Sequence, residues 1–264
     1  MTDDYQRRSY GEISVGTGEK PGIVVVDFQL GFTDPQYPLG GAPLVMRAVE
    51  NTARLLKVAR RVGVPVAVCN TAYMNEREMP YWKITAVKQT FLHDHPSTAL
   101  DPRIYEPGYD LKVTKKGPSI FFETGVANYF MKERVDTMIV TGCNTSGCIR
   151  GSALDSFSHR FRTLVPEDCV GDIEEGPHRD NLRDIGGAMS TSPTSLSASI
   201  TWSAGGSGTA PEDLPQGEVV PLPQTSTHSA STSSAMRNGL MRKAECVEPA
   251  AGTTSSKAFS DTSQ

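Results

Sequence analysis

Three polar residues with complementary chemistry follow apolar segments of this sequence: Asp27, Lys116 and Cys148. Asp27 closes the run GIVVVD, where a carboxylate is costly to bury without a partner. A thiolate is a nucleophile, an ammonium stabilises developing negative charge, and a carboxylate accepts a proton. The three residue types therefore predict nucleophilic hydrolysis, provided that the fold brings them together.

The turn TGCNTSGC, at 141–148, places Cys148 where a helical pattern begins. Backbone N–H groups at a helix N-terminus stabilise a thiolate, so this position should lower the pKa of the thiol. Cys143, nearer the preceding strand, is expected to be packed. Each candidate also has a plain structural alternative: packing for Cys148, a solvated charge for Lys116, and a turn or cap for Asp27.

Short β-branched runs alternate with amphipathic stretches, a pattern that predicts a parallel sheet covered by helices on both faces. This is an α/β fold, a three-layer α-β-α sandwich. The carboxyl ends of such strands meet at one edge, where sites usually form, and we expect Asp27 and 141–148 to lie there. The predicted strands are 22–27, 65–69, 111–115, 137–140 and 162–166, and the predicted helices are 45–62, 124–135, 146–161 and 178–185.

Composition divides the chain into an extension at 1–20, a hydrolase domain at 21–186 and a tail at 187–264. The tail is rich in Ser, Thr, Pro and Gly, which predicts disorder. We further hypothesise that it arises from a reading-frame error. Back-translating 187–203 and reading from the third base of the first codon permits RYVDVTDLAERLDHLE, a strand followed by an amphipathic helix that the sheet would otherwise lack.

The combination of motifs resembles the isochorismatase-like cysteine hydrolases. Its elements are the aspartate in VVVDFQLGFTDP, the lysine that opens K-x-x-S-x-F-F-x-T, and the cysteine in TGCNTSGCIR, together with PYWKI and GPHRDNL. The resemblance spans about 22–185. It implies a six-stranded parallel sheet and an Asp27, Lys116 and Cys148 triad. It also implies a cis peptide bond before Asn144, with the N–H groups of Asn144 and Cys148 forming an oxyanion hole.

The resemblance further implies hydrolysis of a linear amide or ureido C–N bond through a thioester. It is strongest to family members that convert N-carbamoylsarcosine to sarcosine, carbon dioxide and ammonia. Ureidoacrylate or nicotinamide hydrolysis, or a noncatalytic binding role, are the alternatives. The family commonly forms homotetramers, so a homo-oligomer is expected. Substrate contacts are predicted for Trp82, Thr145, Arg150 and Asn70, with packing and surface-charge alternatives for Trp82 and Arg150.

No cofactor is predicted, and the predicted partners are a small amide or ureido substrate and further copies of this chain. His93 and His95, in FLHDHP, have alternating spacing but lie in a proline-bounded loop, so no metal site is predicted there. The segment TGCNTSGC lacks the lysine of a phosphate-binding loop. A formal net charge of −4 argues against nucleic acid. No apolar run approaches the roughly 18 residues of a membrane span, and the first residues lack a signal peptide. We therefore expect a cytoplasmic protein.

Overall fold

A single sheet of seven parallel strands organises residues 4–191, the part of the chain described by a computed structural model. The strand path is β3-β2-β1-β4-β5-β7, and β6 pairs with β4 beyond the end of β5. The six strands of this path confirm the expected parallel sheet. The strands are β1 (Pro21–Val26), β2 (Val66–Thr71), β3 (Leu111–Lys115), β4 (Thr137–Cys143), β5 (Arg162–Leu164), β6 (Val170–Gly171) and β7 (Ser190–Thr191).

Helices cover both faces of this sheet, which confirms the three-layer arrangement. The long helix α3 packs on one face, and α5, α6 and α7 pack on the other. The helices are α1 (Asp4–Arg7), α2 (Leu30–Thr33), α3 (Pro43–Arg61), α4 (Thr85–Thr90), α5 (Val126–Lys132), α6 (Arg150–Ser158) and α7 (Glu175–Ala188). Within the described range, no helix is long and apolar enough to cross a membrane.

The central strand β1 shows why its sequence reads as an unbroken apolar run. Ile23 and Val25 face the α3 layer, whereas Val24 and Val26 face the α5–α7 layer, and all four are buried. A strand buried on both faces needs apolar residues at every position. Each fully buried Val or Ile side chain stabilises the fold by about 1.5–3 kcal/mol.

Helix α3 is specified by its apolar positions and by its ends. Pro43 occupies its first turn, where proline is favoured because no intrahelical donor is lost. Gly63, just beyond the helix, has a φ of +78°, the left-handed conformation that ends many helices. These signals explain why its predicted bounds, 45–62, agree with the observed helix to within two residues.

The order of the strands creates the crevice in which a site is expected. From β1 the chain moves outward through β2 to β3, and it then returns to place β4 on the other side of β1. The carboxyl edge between β1 and β4 is therefore a topological switch point, the usual location of ligand sites in such sheets. Asp27 follows β1 and the turn at 144–149 follows β4 at this edge.

Regular secondary structure continues beyond residue 186, the predicted end of the domain. Helix α7 continues to Ala188, and β7 then pairs with β5 in the register Thr163↔Ser190 and Leu164↔Thr191. A strand therefore does occupy the last position of the sheet, where a frame error was expected to have removed it. The rest of the predicted tail, 192–264, lies outside the described residues.

Candidate active site

Asp27 lies at the end of β1 in a left-handed backbone conformation, with a φ of +57°. Aspartate tolerates this conformation better than most residues, and the turn carries its side chain to the carboxyl edge of the sheet. The side chain is fully buried. Its Oδ1 accepts a hydrogen bond from Thr71 Oγ1 at 3.1 Å, and its Oδ2 lies 2.7 Å from Lys115 Nζ. The carboxylate thus has the charged partner that its burial requires.

Lys115, and not Lys116, is the lysine that contacts the cysteine. Lys115 Nζ lies 3.3 Å from Cys148 Sγ, and the side chain is 1% exposed. The prediction for Lys116 is wrong because successive side chains of a strand point to opposite faces. Leu111 and Val113 pack in the same layer as Cys148, so the third side chain of that series, Lys115, shares their face.

The Lys115 ammonium is held by three hydrogen-bond acceptors in addition to the Asp27 charge. These acceptors are Thr71 Oγ1 at 2.7 Å, Gly117 O at 3.0 Å and Cys148 Sγ at 3.3 Å. Burial acts to lower the pKa of Lys115, but the Asp27 carboxylate together with the sulfur groups of Cys148 and Cys69 outweighs it, so that the pKa is raised. Lys115 is therefore a permanent cation beside the thiol.

Cys148 lies in a π-helical turn, Thr145–Ile149, between β4 and α6. The peptide bond between Cys143 and Asn144 is cis, as the family resemblance implies. Two buried side chains fix the start of this turn. Asp172 Oδ2 accepts a hydrogen bond from Ser146 N at 2.7 Å, and His178 Nδ1 lies 2.8 Å from Thr145 Oγ1. Asp172 and His178 therefore fix the position of Cys148 by binding Ser146 and Thr145, which precede it in the turn.

The electrostatics of Cys148 differ from the sequence-based expectation. Burial raises the pKa of Cys148 to about 12, although the Lys115 ammonium acts in the opposite direction. The expected lowering of the thiol pKa is therefore wrong, because burial has a larger effect than the Lys115 ammonium that opposes it. A neutral resting thiol needs a base, and the Asp27 carboxylate, which contacts the same Lys115 ammonium as the thiol, is the candidate.

All four residues predicted to contact a substrate have polar atoms that are bound to other residues of the chain. Asn70 is buried, donates to Thr98 O at 2.8 Å and accepts from Thr114 Oγ1 at 2.8 Å. Thr145 is buried against His178. These amide and hydroxyl groups have partners within the chain, and the contacts of Asn70 and Thr145 with a substrate stay predictions. A sequence pattern does not reveal such partners, because they come from distant segments of the chain.

Arg150 and Trp82 also have partners of their own. The Arg150 guanidinium forms an ion pair with Asp184 Oδ2 at 3.0 Å, on the exposed surface between α6 and α7. This pair corresponds to the surface-charge alternative. Trp82 packs against the α3 side of the core and donates from Nε1 to Tyr73 Oη at 2.8 Å. Its contact with a substrate stays a prediction.

Lys116 belongs to a separate polar group on the other side of β3. Its Nζ donates to Ala72 O at 2.7 Å, lies 3.0 Å from Glu78 Oε1 and lies 3.2 Å from His93 Nε2. We call Lys116, Glu78 and His93 the ledge. Among residues 4–191, no group of three or more His, Cys, Asp or Glu side chains is arranged to hold a metal ion.

Thr71 and Cys69 also lie beside the site, although no sequence motif pointed to them. Cys69 Sγ lies 3.7 Å from Asp27 Oδ1, so this buried cysteine also contacts the carboxylate. Both residues belong to β2, which lies between β1 and β3. The available signal was the end of this strand, because the carboxyl ends of parallel strands meet at the edge of the sheet where Asp27 also lies.

Comparison with known proteins agrees with this geometry. Residues 21–194 match the isochorismatase domain family. A maleamate amidohydrolase of Pseudomonas putida is 38% identical over 174 residues, which are 65% of this chain and 81% of that protein. An N-carbamoylsarcosine amidase of an Arthrobacter species is 28% identical over 190 residues, 70% of this chain and 71% of that protein.

Solved structures show the same fold. The N-carbamoylsarcosine amidase of Thermoplasma acidophilum aligns with a TM-score of 0.56 at 25% identity, covering 67% of this chain and 96% of that one. A cysteine hydrolase of Pseudomonas syringae pv. phaseolicola aligns with a TM-score of 0.66 at 18% identity, covering 70% and 93% of the two chains.

Proposed function

We propose that this chain, which belongs to the isochorismatase family of amidohydrolases, hydrolyses the C–N bond of a small linear amide through a thioester on Cys148. The observation that carries the proposal is the position of Lys115 Nζ, 2.7 Å from Asp27 Oδ2 and 3.3 Å from Cys148 Sγ. This contact unites a base, a cation and a nucleophile in one buried group.

Asp27 begins the reaction by taking the proton of the Cys148 thiol. The thiolate attacks the carbonyl carbon, and the electron pair of the C=O bond moves to oxygen. The N–H groups of Asn144 and Cys148 receive the oxyanion, and the Lys115 ammonium stabilises the negative charge. Collapse of this intermediate breaks the C–N bond, Asp27 returns its proton to the leaving nitrogen, and ammonia departs.

Hydrolysis of the thioester completes the cycle with the same carboxylate. Asp27 accepts a proton from water, the resulting hydroxide attacks the thioester carbon, and the C–S bond breaks. Cys148 leaves as a thiolate and regains a proton from Asp27. An amide substrate yields a carboxylic acid, whereas a ureido substrate yields a carbamic acid that loses carbon dioxide.

Maleamate is the leading substrate candidate, because the relative that carries this name is 38% identical over 174 residues. N-carbamoylsarcosine, the substrate favoured by the sequence motifs, is the second candidate, supported by the relative with 28% identity. Both compounds combine a terminal –C(=O)NH₂ group with a carboxylate. We therefore propose an amidase that acts on short acids. Comparing the two compounds tests how the enzyme selects the acyl part of its substrate.

The test is ammonia release from maleamate, N-carbamoylsarcosine and nicotinamide by protein of verified mass. We expect release from one or both acids and little from nicotinamide. Cys148→Ala serves as the matched control and should release none while keeping the wild-type thermal unfolding temperature. Activity that survives in Cys148→Ala contradicts the nucleophile, and silence of the wild type on all three compounds favours a noncatalytic member of the family.

Assembly and location complete the proposal. The family resemblance supports a homotetramer in the cytoplasm, and light scattering on purified protein measures the mass of the assembly directly. A monomeric mass combined with full activity would contradict the need for an oligomer.

A further inference from the structure

The hydroxyl of Thr71 lies between the two charged groups of the site. Its oxygen is 3.1 Å from Asp27 Oδ1 and 2.7 Å from Lys115 Nζ, and all three residues are buried. An ammonium only donates hydrogen bonds and a carboxylate only accepts them. The direction of both bonds is therefore fixed: Thr71 accepts from Lys115 and donates its single hydrogen to Asp27.

The three hydrogens of the Lys115 ammonium are accounted for by its three acceptors, Thr71 Oγ1, Gly117 O and Cys148 Sγ. The Oδ2 atom of Asp27 lies within ion-pair distance of Nζ, yet it accepts no hydrogen bond from the described residues. It is held near the ammonium by charge, and its lone pairs stay open.

The two oxygens of Asp27 therefore differ. Oδ1 is satisfied by the Thr71 hydroxyl and is also contacted by the thiol of Cys69 at 3.7 Å. Burial raises the pKa of Cys69 well above its ordinary value, so this thiol keeps its hydrogen and acts as a donor. Oδ2 is the oxygen without a donor, on the side that faces Lys115.

We propose that Thr71 is a positioning residue: it takes one ammonium hydrogen of Lys115 and thereby leaves Asp27 Oδ2 free to receive the proton of the Cys148 thiol. This inference rests on the proposed function of the site. Without the hydroxyl, the freed ammonium hydrogen turns to Oδ2, and the carboxylate becomes a poorer base.

Gln29 holds Thr71 in the place that this role needs. The buried amide of Gln29 accepts from Thr71 N at 2.7 Å and donates to Thr71 O at 3.3 Å. It thus pairs with both backbone groups of one residue, and a second donor bond to Ser97 O at 3.3 Å fixes the amide. The position of the Thr71 hydroxyl is therefore set by the backbone of β2 and the turn after β1.

The experiment compares Thr71→Val, which removes the hydroxyl with little change in shape, with Thr71→Ser, which keeps it. Thr163→Val is the matched control, because Thr163 is also a buried strand threonine whose hydroxyl has a partner, Ser156 Oγ at 2.8 Å, away from the site. We expect Thr71→Val to lower kcat by about 10–100-fold with little change in KM. Thr71→Ser and Thr163→Val should retain most of the activity.

A second measurement needs no substrate. The rate of Cys148 alkylation by iodoacetamide is followed between about pH 6 and pH 8 by mass spectrometry. Internal transfer of the proton to Asp27 makes the wild-type rate nearly independent of pH. Without a working base, the rate of Thr71→Val should rise about tenfold per pH unit, as the thiolate fraction of an unassisted thiol does.

These readouts separate the inference from the proposed function. If the wild type hydrolyses no candidate amide, the proposed function fails, while the alkylation profiles still test Thr71. The inference is overturned if Thr71→Val keeps the wild-type kcat and profile, or if Thr71→Ser is impaired equally, since the methyl group would then be what matters. If Thr71→Val does not fold, Thr71→Ala takes its place with the same expected results.

Discussion

Lys115 and Lys116 are neighbours in the sequence, but their surroundings are opposite. Lys115 is 1% exposed and touches Asp27, Thr71 and Cys148. Lys116 is about one-third exposed on the ledge and borders a groove of about 600 Å³ that is lined partly by Phe122. The contrast teaches that burial and partners give a lysine its chemical role. One step along the strand decides which lysine has them.

The largest expected difference between the two regions comes from Lys115→Met and the matched Lys116→Met. Lys115→Met removes the cation that stabilises the transition state and leaves Asp27 buried without a counter-charge. We expect kcat to fall by about 10³-fold and the free energy of unfolding to fall by about 3–5 kcal/mol. Urea unfolding and steady-state kinetics measure the two effects.

Lys116→Met should change both quantities little, because its ion pair with Glu78 is partly exposed and such pairs contribute at most about 1 kcal/mol. The double variant Asp27→Asn with Lys115→Met should recover part of the lost stability, since no unpaired charge then remains buried. Equal losses from the two single lysine variants would break the comparison between the buried site and the ledge.

A smaller effect on stability is expected from His178, the buried histidine beside the candidate site. His178 is buried beside the turn that carries Cys148, and burial followed by the charge of Arg47 lowers its pKa. The unfolded chain therefore binds a proton more readily than the folded one. The contribution of neutral His178 to the free energy of unfolding is therefore complete above the ordinary histidine pKa of about 6.5. It decreases as the pH falls below that value.

Thermal unfolding of the wild type from about pH 7.5 to pH 5 measures this decrease. His178→Gln should flatten the part of the slope that lies below the ordinary histidine pKa. A wild-type slope in His178→Gln would show that this buried histidine is not the group responsible.

The smallest expected effect concerns Arg150, the predicted carboxylate contact that the structure pairs with Asp184. Arg150→Ala should alter the free energy of unfolding by less than about 1 kcal/mol, because both partners are exposed. It should also leave kcat and KM unchanged. Arg179→Ala, which breaks the exposed pair with Glu175, is the control. A raised KM for acids in Arg150→Ala alone would restore the predicted substrate contact.

The sheet and two of the three residues of the candidate site were predictable from the sequence, for identifiable reasons. Strand β1 is buried on both faces, so its apolar run is unbroken and Asp27 stands out at its end. Cys148 follows a turn of small residues between a strand and a helix. In both places local sequence and tertiary environment agree, and a pattern is then informative.

The lysine was misassigned although a local signal was present, whereas the substrate contacts required information that local sequence does not hold. The apolar residues of β3 alternate with polar ones, a period that places Lys115 on the inner face, but the two neighbouring lysines do not differ in residue type. The amide of Asn70 and the hydroxyl of Thr145 are bound by Thr98 and His178, residues 28 and 33 positions away. Only the folded chain shows that these polar groups are already satisfied.

Strand β3 lies at one end of the strand path, and its pairing with β2 fixes more than the sheet. The register Thr71↔Lys115 places the ammonium opposite the hydroxyl that it contacts. A slip of one residue would send every side chain of the strand to the other face and put Lys116 in the buried place. Which lysine faces the candidate site thus depends on parity, that is, on whether an odd or an even number of residues separates it from the start of this edge strand. An insertion of one residue before Leu111 and an insertion of two are therefore not equivalent changes.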